Sequence, residues 1–472
     1  MPEVFWFRSL SLSILHLAAA ATVTVHVALY KRNVRSATGW IGLAWLAPLV
    51  GPFLYLLFGI NRVGRSGSSL GLGSIGYDKQ PLDEGQTPHS GFRGMHRLAG
   101  LVVNRPLLAG NKVEPLVNGD EAYPAMLTAI HEARESITMT SYIFDYDDAG
   151  RAFLNALSAA FRRGVQVRVL IDAVGAHYSH INMTRALREA GVPAATFLPT
   201  HGKRILRYAN LRNHRKIMVV DGVIGFTGGM NIRAGNMLQT NPPKPVQDLH
   251  FRVSGPIIAD FQRDFAADWN IAAGELLSGS MWFKEVPADG PVFARGIPDG
   301  PDSDMDNMQM IMLGALAAAQ LRARIVTPYF LPDDALIAAL KTAALRGVMV
   351  DIVLPERSNL FYMDWAMHPQ LADLLDRGCR IFLSPRPFDH TKIFTVDGLW
   401  SLIGSTNWDA RSLRLNFEYN IECYDIDLAA TLEAMVDKRI AMSRAVSAED
   451  MRSMPVGIRI RDGLARMFSP YL

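Results

Sequence analysis

Cysteine is almost missing from this 472-residue chain: Cys379 and Cys423 are the only two. Two thiols make neither a disulfide framework nor a four-ligand zinc cluster, so both are expected as ordinary core residues. Excess charge is missing too. The net charge is only +3, which gives no whole-chain footprint for nucleic acid. There is no Gly-rich P-loop, which argues against nucleotide hydrolysis. No carboxylate cluster resembling a two-metal site lies near the histidines discussed below. No metal and no cofactor is therefore expected. Charged residues are sparse at 20% while hydrophobic ones reach 49%. Disorder is excluded for most of the length, and the balance tilts toward a membrane.

The N-terminus carries that tilt. Leu10 to Tyr30 is apolar apart from small hydroxyls, His16 and His26, and Trp40 to Phe58 is a second run without charge. Each approaches the roughly 20 residues that a spanning helix needs. A short basic loop with Lys31, Arg32 and Arg35 joins them, and Trp40, Trp45 and Tyr55 suit an interface. A transmembrane hairpin is expected over residues 1–60. A cleaved signal peptide is disfavoured by the second run. A buried core hairpin stays open, because Gly39, Gly42, Pro48, Gly51 and Pro52 interrupt the second run, and so does a re-entrant or interfacial second segment. Basic residues on both sides leave the orientation undecided. Gly64 to Gly76 reads as a flexible tether inside a linker expected over residues 61–100.

The remainder repeats itself. Ile137–Phe144 reads as a strand, Gly150–Arg163 as a helix capped by Gly164, and Val165–Asp172 as the next strand. Ile325–Leu331, Asp333–Arg346, Gly347 and Val348–Leu354 follow the same order. Continuous apolar strands alternating with helices imply an α/β fold, with a mixed or parallel sheet covered on both faces. Two domains are expected, at 101–290 and 291–472.

Each half ends in the same chemistry: His214-Arg-Lys216-x4-Asp221 and His390-Thr-Lys392-x4-Asp397. In a strand, positions i and i+2 share a face, so each imidazole projects beside an ammonium. The lysine neutralises a phosphodiester oxygen. The histidine attacks phosphorus or moves a proton near neutral pH. Small-residue turns then lead to Asn231 and Asn407, which can donate hydrogen bonds to the same oxygens. Asp221 and Asp397 complete each motif. Standing before a glycine, they are expected to brace the turn rather than touch substrate.

These motifs resemble the phospholipase D superfamily, whose two HKD motifs form one site at a pseudo-twofold interface. Arg212-Asn-His214-Arg-Lys216, Thr327-Pro-Tyr-Phe-Leu-Pro-Asp333 and Ser469-Pro-Tyr-Leu472 are similar to its bacterial cardiolipin synthase branch. So are Trp45-Leu-Ala-Pro48 and the stretch from Tyr55 to Phe58-Gly59. The resemblance implies two phospholipase D-like α/β/α sandwich repeats behind a membrane hairpin, in a multi-pass protein of the bacterial cell membrane. It implies phosphatidyl transfer between two phosphatidylglycerol molecules through a phosphohistidine, with anionic lipids as partners and no nucleic acid. It gives His214 the nucleophilic role and His390 the acid–base role. Asp248 and Glu418 stand where the family has carboxylates that orient a catalytic imidazole. Asp248 lies in Val-Gln-Asp-Leu-His, where an aromatic-Arg-Asp sequence is more usual.

Lys203, Arg204, Arg207, Arg212 and Arg215 form a basic group that reads as a solvated face or a landing patch for anionic lipid. The chain closes on a basic amphipathic helix around Asp462–Arg466. Hydrolysis on the same site and an idle lipid-binding scaffold are the competing classes. Two intact His-Lys pairs argue against the scaffold. A nuclease gains nothing from a membrane hairpin.

Overall fold

The computed structural model describes residues 2–31, 34–56, 90–177, 181–198, 211–301 and 304–469. The chain forms two compact units, residues 1–65 and 66–472.

In the first unit, helix α1 (Pro2–Tyr30) packs against α2 (Val34–Leu46) and the short α3 (Val50–Leu54). Small residues let the helices approach: Ala20, Val23, Val27 and Ala44 are buried together with Tyr55. The Tyr55 hydroxyl lies 2.7 Å from His26 Nδ1, and Trp45 Nε1 donates to Thr24 Oγ1 at 3.0 Å. Among the described residues, one segment, Ser11–Tyr30, is long and apolar enough to cross a bilayer. The second run is not the single helix expected from Trp40 to Phe58. It breaks after Leu46 at Pro48, with Leu49 in the left-handed region (φ 59°). Proline removes a helix donor, and Gly51 lets the chain turn against the Leu43 carbonyl, where a Cβ would sit 2.0 Å from that oxygen. Residues 57–58, and the tether at 64–76, lie outside the described residues.

The second unit is built on one sheet. Its first-half strands are β1 (Leu108–Val117), β2 (Ser136–Ser141), β3 (Gln166–Asp172), β4 (Ala194–Phe197), β5 (Arg212–Asn213), β6 (Ile217–Val220), β7 (Ile224–Gly228), β8 (Val246–Gln247) and β9 (Leu249–Ser254). Those of the second half are β10 (Val292–Asp299), β11 (Arg322–Val326), β12 (Phe330–Leu331), β13 (Met349–Pro355), β14 (Arg380–Ser384), β15 (Phe388–Asp389), β16 (Ile393–Val396), β17 (Trp400–Gly404), β18 (Trp408–Asp409), β19 (Asn416–Tyr424) and β20 (Arg444–Val446). The order runs β20-β14-β13-β11-β16-β17-β19-β10-β1-β9-β7-β6-β2-β3-β4. Outward from the antiparallel β1–β10 seam, both sides list equivalent strands in the same sequence. The pairs β2–β3, β3–β4, β11–β13 and β13–β14 are parallel, and the strands next to the seam are antiparallel. The sheet therefore runs unbroken across the expected domain boundary at residue 290.

The longer helices of this unit are α4 (Arg93–Val103), α5 (Asn118–Glu132), α6 (Asp148–Arg162), α7 (Ile258–Ala273), α8 (Asn307–Ala318), α9 (Asp334–Leu345), α10 (Phe361–Leu375), α11 (Ile426–Met442) and α12 (Val456–Arg466). The repeat's helices start where its capping residues stand. Asp147 Oδ1 accepts from Gly150 N, and Asp333 Oδ1 from Ala335 N and Leu336 N. Both end before a left-handed glycine, Gly164 (φ 96°) and Gly347 (φ 92°). Apolar cores fill both faces. One lies under α5 and α6, a second under α4, α8, α9 and α10, and a third joins the halves beneath α7 and α11. There the rings of Phe261 and Tyr419 meet at 5.1 Å. Burial on both faces is why these strands read as unbroken apolar runs rather than alternating ones. Part of the expected linker is folded: α4 buries Met95, Ala99 and Val103, and Arg105, just after it, pairs with Asp264 at 2.7 Å. Both cysteines are buried.

Candidate active site

The His-x-Lys triplets do not lie within a strand, as expected, but in extended chain between two. In the first half β5 precedes the triplet and β6 follows; in the second half β15 and β16 do so. Each short leading strand pairs with the other half. β5 lies parallel to the start of β19, and His214 N donates to Phe417 O at 2.8 Å. β15 lies parallel to β8, and His390 N donates to Gln247 O at 2.7 Å.

This pairing delivers the carboxylates crosswise. His214 Nδ1 donates to Glu418 Oε2 at 2.9 Å. His390 Nδ1 donates to Asp248 Oδ2 at 2.8 Å. Each half thus holds the imidazole of the other. With Nδ1 committed, Nε2 is the nitrogen left for chemistry in either ring. The turns before the carboxylate strands make room for them. A Cβ at Gly229 would sit 2.4 Å from Asp248 Oδ1. The matching position in the second half is Ser405, whose hydroxyl donates to Glu418 Oε2 at 2.5 Å, while Asn416 Nδ2 donates to Oε1 at 3.1 Å.

Both lysines are buried beside their histidines. Lys216 Nζ donates to His214 O at 2.6 Å. Lys392 Nζ donates to His390 O and lies 3.0 Å from His390 Nδ1. Tyr142 packs edge-on at 5.0 Å from the His214 ring, and Tyr329 stands 6.2 Å from the His390 ring. The two tyrosines follow β2 and β11 but do not match in the repeat: the strand registers set Tyr329 opposite Ile143 and Tyr142 opposite Pro328.

Burial sets the charges. It lowers Lys216 to about 7 and Lys392 to about 8, against the pull of Glu418 and Asp248. His214 falls well below the usual imidazole range through burial, then Lys216, Lys392 and His390. His390 is lowered by burial and Lys392, with Asp248 opposing. The carboxylates diverge. Burial pushes Glu418 up to about 7. Burial would also raise Asp248, but His390 and Lys392 together hold it below the usual carboxylate range. These six titratable side chains act on one another across the two halves.

The other expected residues fall in three places. Asn231 and Asn407 are buried at the turns. Asn231 Oδ1 accepts from Ile143 N at 3.0 Å, and Asn407 Nδ2 donates to Ser412 Oγ at 3.1 Å. Asp221 and Asp397 sit at the far ends of β6 and β16 from the histidines. Asp221 accepts the backbone N–H groups of Arg134, Glu135 and Ser136, and Asp397 those of Gln320, Leu321 and Arg322. Both carboxylates tie strand ends together, at the end of each strand away from the histidine. Of the basic group, Lys203, Arg204 and Arg207 lie outside the described residues. Arg215 is no landing site, for it is buried against Asp268 at 2.9 Å.

That ion pair belongs to a support the motif did not reveal. Asp268 on α7 accepts from both Asn213 Nδ2 and Arg215 Nη1, at 2.7 and 2.9 Å. In the second half the charges are exchanged. Arg439 on α11 donates to Asp389 Oδ2 at 2.7 Å and Thr391 Oγ1 at 3.0 Å. Each helix behind the sheet thereby fixes the residues flanking a histidine.

The family model described as the PLD-like domain of cardiolipin synthase matches residues 126–269 and 312–440, and a phospholipase D-nuclease N-terminal model matches residues 18–59. Cardiolipin synthase A of Pseudomonas fluorescens is 32% identical over 488 aligned positions, covering 100% of this chain and 99% of the relative. The major cardiolipin synthase of Bacillus subtilis is 30% identical, covering 94% and 95%. The crystal structure of phosphatidylserine synthase from Haemophilus influenzae superimposes with a TM-score of 0.63 at 16% identity, covering 81% of this chain and 100% of that one. That likeness concerns the fold. The fold and the paired motifs define a phospholipase D-type enzyme. Within that class, the chain belongs to the bacterial cardiolipin synthase family with its PLD-like domains.

Proposed function

We propose that the chain makes cardiolipin and glycerol from two phosphatidylglycerol molecules. The observation that carries the reading is the crosswise grip of Glu418 on His214 and of Asp248 on His390, which makes one site from two halves. It supports a pseudo-twofold relation between the halves, with domains near 101–290 and 291–472.

His214 is the nucleophile. Kept neutral by burial and the lysines, its Nε2 offers a lone pair to phosphorus. The P–O bond to the departing glycerol breaks as the N–P bond forms, and His390 gives that oxygen a proton. His390 suits the acid role because ionised Asp248 stabilises its imidazolium. A headgroup hydroxyl of the second phosphatidylglycerol then enters and loses its proton to His390. It attacks the phosphatidyl-histidine, forming the new P–O bond and freeing His214. Lys216 and Lys392, with amide donors from Asn231 and Asn407, offset charge on the non-bridging oxygens.

The apolar N-terminus supports anchoring in the bacterial cell membrane, with α1 crossing it and α2–α3 returning as a broken second pass. Purified protein with labelled phosphatidylglycerol and neither nucleotide nor metal should yield cardiolipin and glycerol. Phosphatidic acid as the sole product would replace the transferase with a hydrolase.

A further inference from the structure

We propose that α12 is an interfacial helix that docks the catalytic unit onto an anionic bilayer surface, beside the mouth of the site. The inference goes beyond the N-terminal anchor, and it does not depend on which phospholipid reaction the site performs.

A surface helix ordinarily turns its large apolar side chains inward. This one is inverted. Val456, Ile460, Leu464, Met467 and Phe468, on α12 and the turn after it, recur at helical spacing and are between 55% and 74% exposed. The inner face carries polar contacts instead. Asp462 is buried, accepts from His368 Nδ1 on α10 at 2.8 Å, and accepts from Arg461 Nε at 2.8 Å. The Arg461 guanidinium lies 4.4 Å over the Trp365 ring. These contacts fix the rotation of the helix, so the apolar stripe cannot roll inward.

Charge selects the occupant. Asp462 is the only acid on α12, and it is buried. Arg459 and Arg466 run along one edge of the stripe in the open. An apolar band edged by arginines suits acyl chains beneath anionic headgroups. A second copy docking by the same face would set arginine against arginine.

Position links the stripe to the chemistry. Tyr329 stands against His390 and donates from its hydroxyl to Asn359 Oδ1 at 2.7 Å. Two residues on, Phe361 opens α10, exposed, with its ring 4.8 Å from Trp365. Trp365 in turn meets Arg461. A continuous surface thus runs from the rim of the site to α12, and a bilayer seated there meets lipid headgroups at the rim.

The test uses the full chain in nanodiscs containing phosphatidylglycerol. Both native cysteines are buried, so Leu464→Cys takes an environment-sensitive fluorophore alone, with the exposed Leu345→Cys as reference. The expected result is blue-shifted emission at 464, quenched by brominated phosphatidylglycerol and shielded from iodide, with the reverse at 345. Iodide quenching at 464 equal to that at 345 overturns the proposal. Shielding from both quenchers also overturns it, since protein then covers the stripe. Neither readout needs turnover, so a failed transferase assay leaves it intact. In addition, Ile460→Asp should slow turnover on vesicles about tenfold, the scale of one lost apolar contact, while sparing monomeric short-chain phosphatidylglycerol. Equal losses on both would make the stripe structural and sink the idea.

Discussion

The carboxylate of Asp248 receives the Nδ1 proton of His390 across 2.8 Å, although 142 positions separate them in the chain. The reciprocal pair, Glu418 with His214, spans 204 positions. Each histidine is therefore tuned by the half of the molecule that does not contain it, and variants of the carboxylates should act across the halves.

Asp248→Asn should mimic a defect in His390, the proposed acid, and Glu418→Gln a defect in His214, the proposed nucleophile. Each is expected to slow phosphatidylglycerol turnover by about 10⁴-fold, as when a partner that fixes a catalytic imidazole is lost. A nitrophenyl phosphodiester separates them, because its leaving group needs no proton. Asp248→Asn should keep a near-normal nitrophenolate burst and Glu418→Gln should lose it. Loss of the burst in both would refute the assignment of roles.

Lys216 and Lys392, lowered to about 7 and about 8, predict the alkaline limb of the kcat/KM profile. Activity should fall as pH rises through that window, since the charged ammonium is the form that binds phosphate. A profile flat to pH 9 would exclude the lysines from substrate binding.

Stability should show the opposite cost. The folded-state value of Lys216 lies below its unfolded value, so its burial penalty is full below about pH 7 and shrinks as pH rises toward the unfolded value. Lys216→Met should abolish turnover yet raise Tm, more at pH 6 than at pH 9. Thermal unfolding at both pH values checks the sign.

Asp268→Asn leaves Arg215 buried without its charge partner. A loss of about 3–5 kcal/mol is expected from breaking such a pair, read as a fall in Tm. The double variant Arg215→Met/Asp268→Leu should recover much of it.

Asp397→Ser removes the acceptor for three backbone N–H groups. Stability should drop by about 1–3 kcal/mol, while kcat per folded molecule stays within a few-fold. A kcat loss as deep as that of His390→Ala would place Asp397 in the catalytic set.

Much of the layout was legible. The helices of both repeats end on the Gly caps that the sequence displays, because capping is a local interaction, whereas their N-caps Asp147 and Asp333 stand outside the motif spacing. The His-Lys spacing was legible for the same reason: neighbours two apart share a side of extended chain wherever the strand boundary falls. The break at Pro48–Leu49 was visible only as a set of interrupting residues. Hydropathy averages over a window and does not register where proline and a left-handed residue end a helix. The early start of the folded unit was missed because α4 is stabilised by packing on residues far downstream.

The amino-acid sequence by itself determined the repeat, the two His-Lys pairs, the apolar anchor and the family, all of which rest on order and spacing along the chain. Only the tertiary structure decided which carboxylate serves which histidine, which backbone N–H groups Asp221 and Asp397 accept, that Asp268 and Arg439 stand behind the site, and that α12 wears its apolar face outward. Each of these depends on burial and on partners brought from distant positions, and neither composition nor periodicity encodes them.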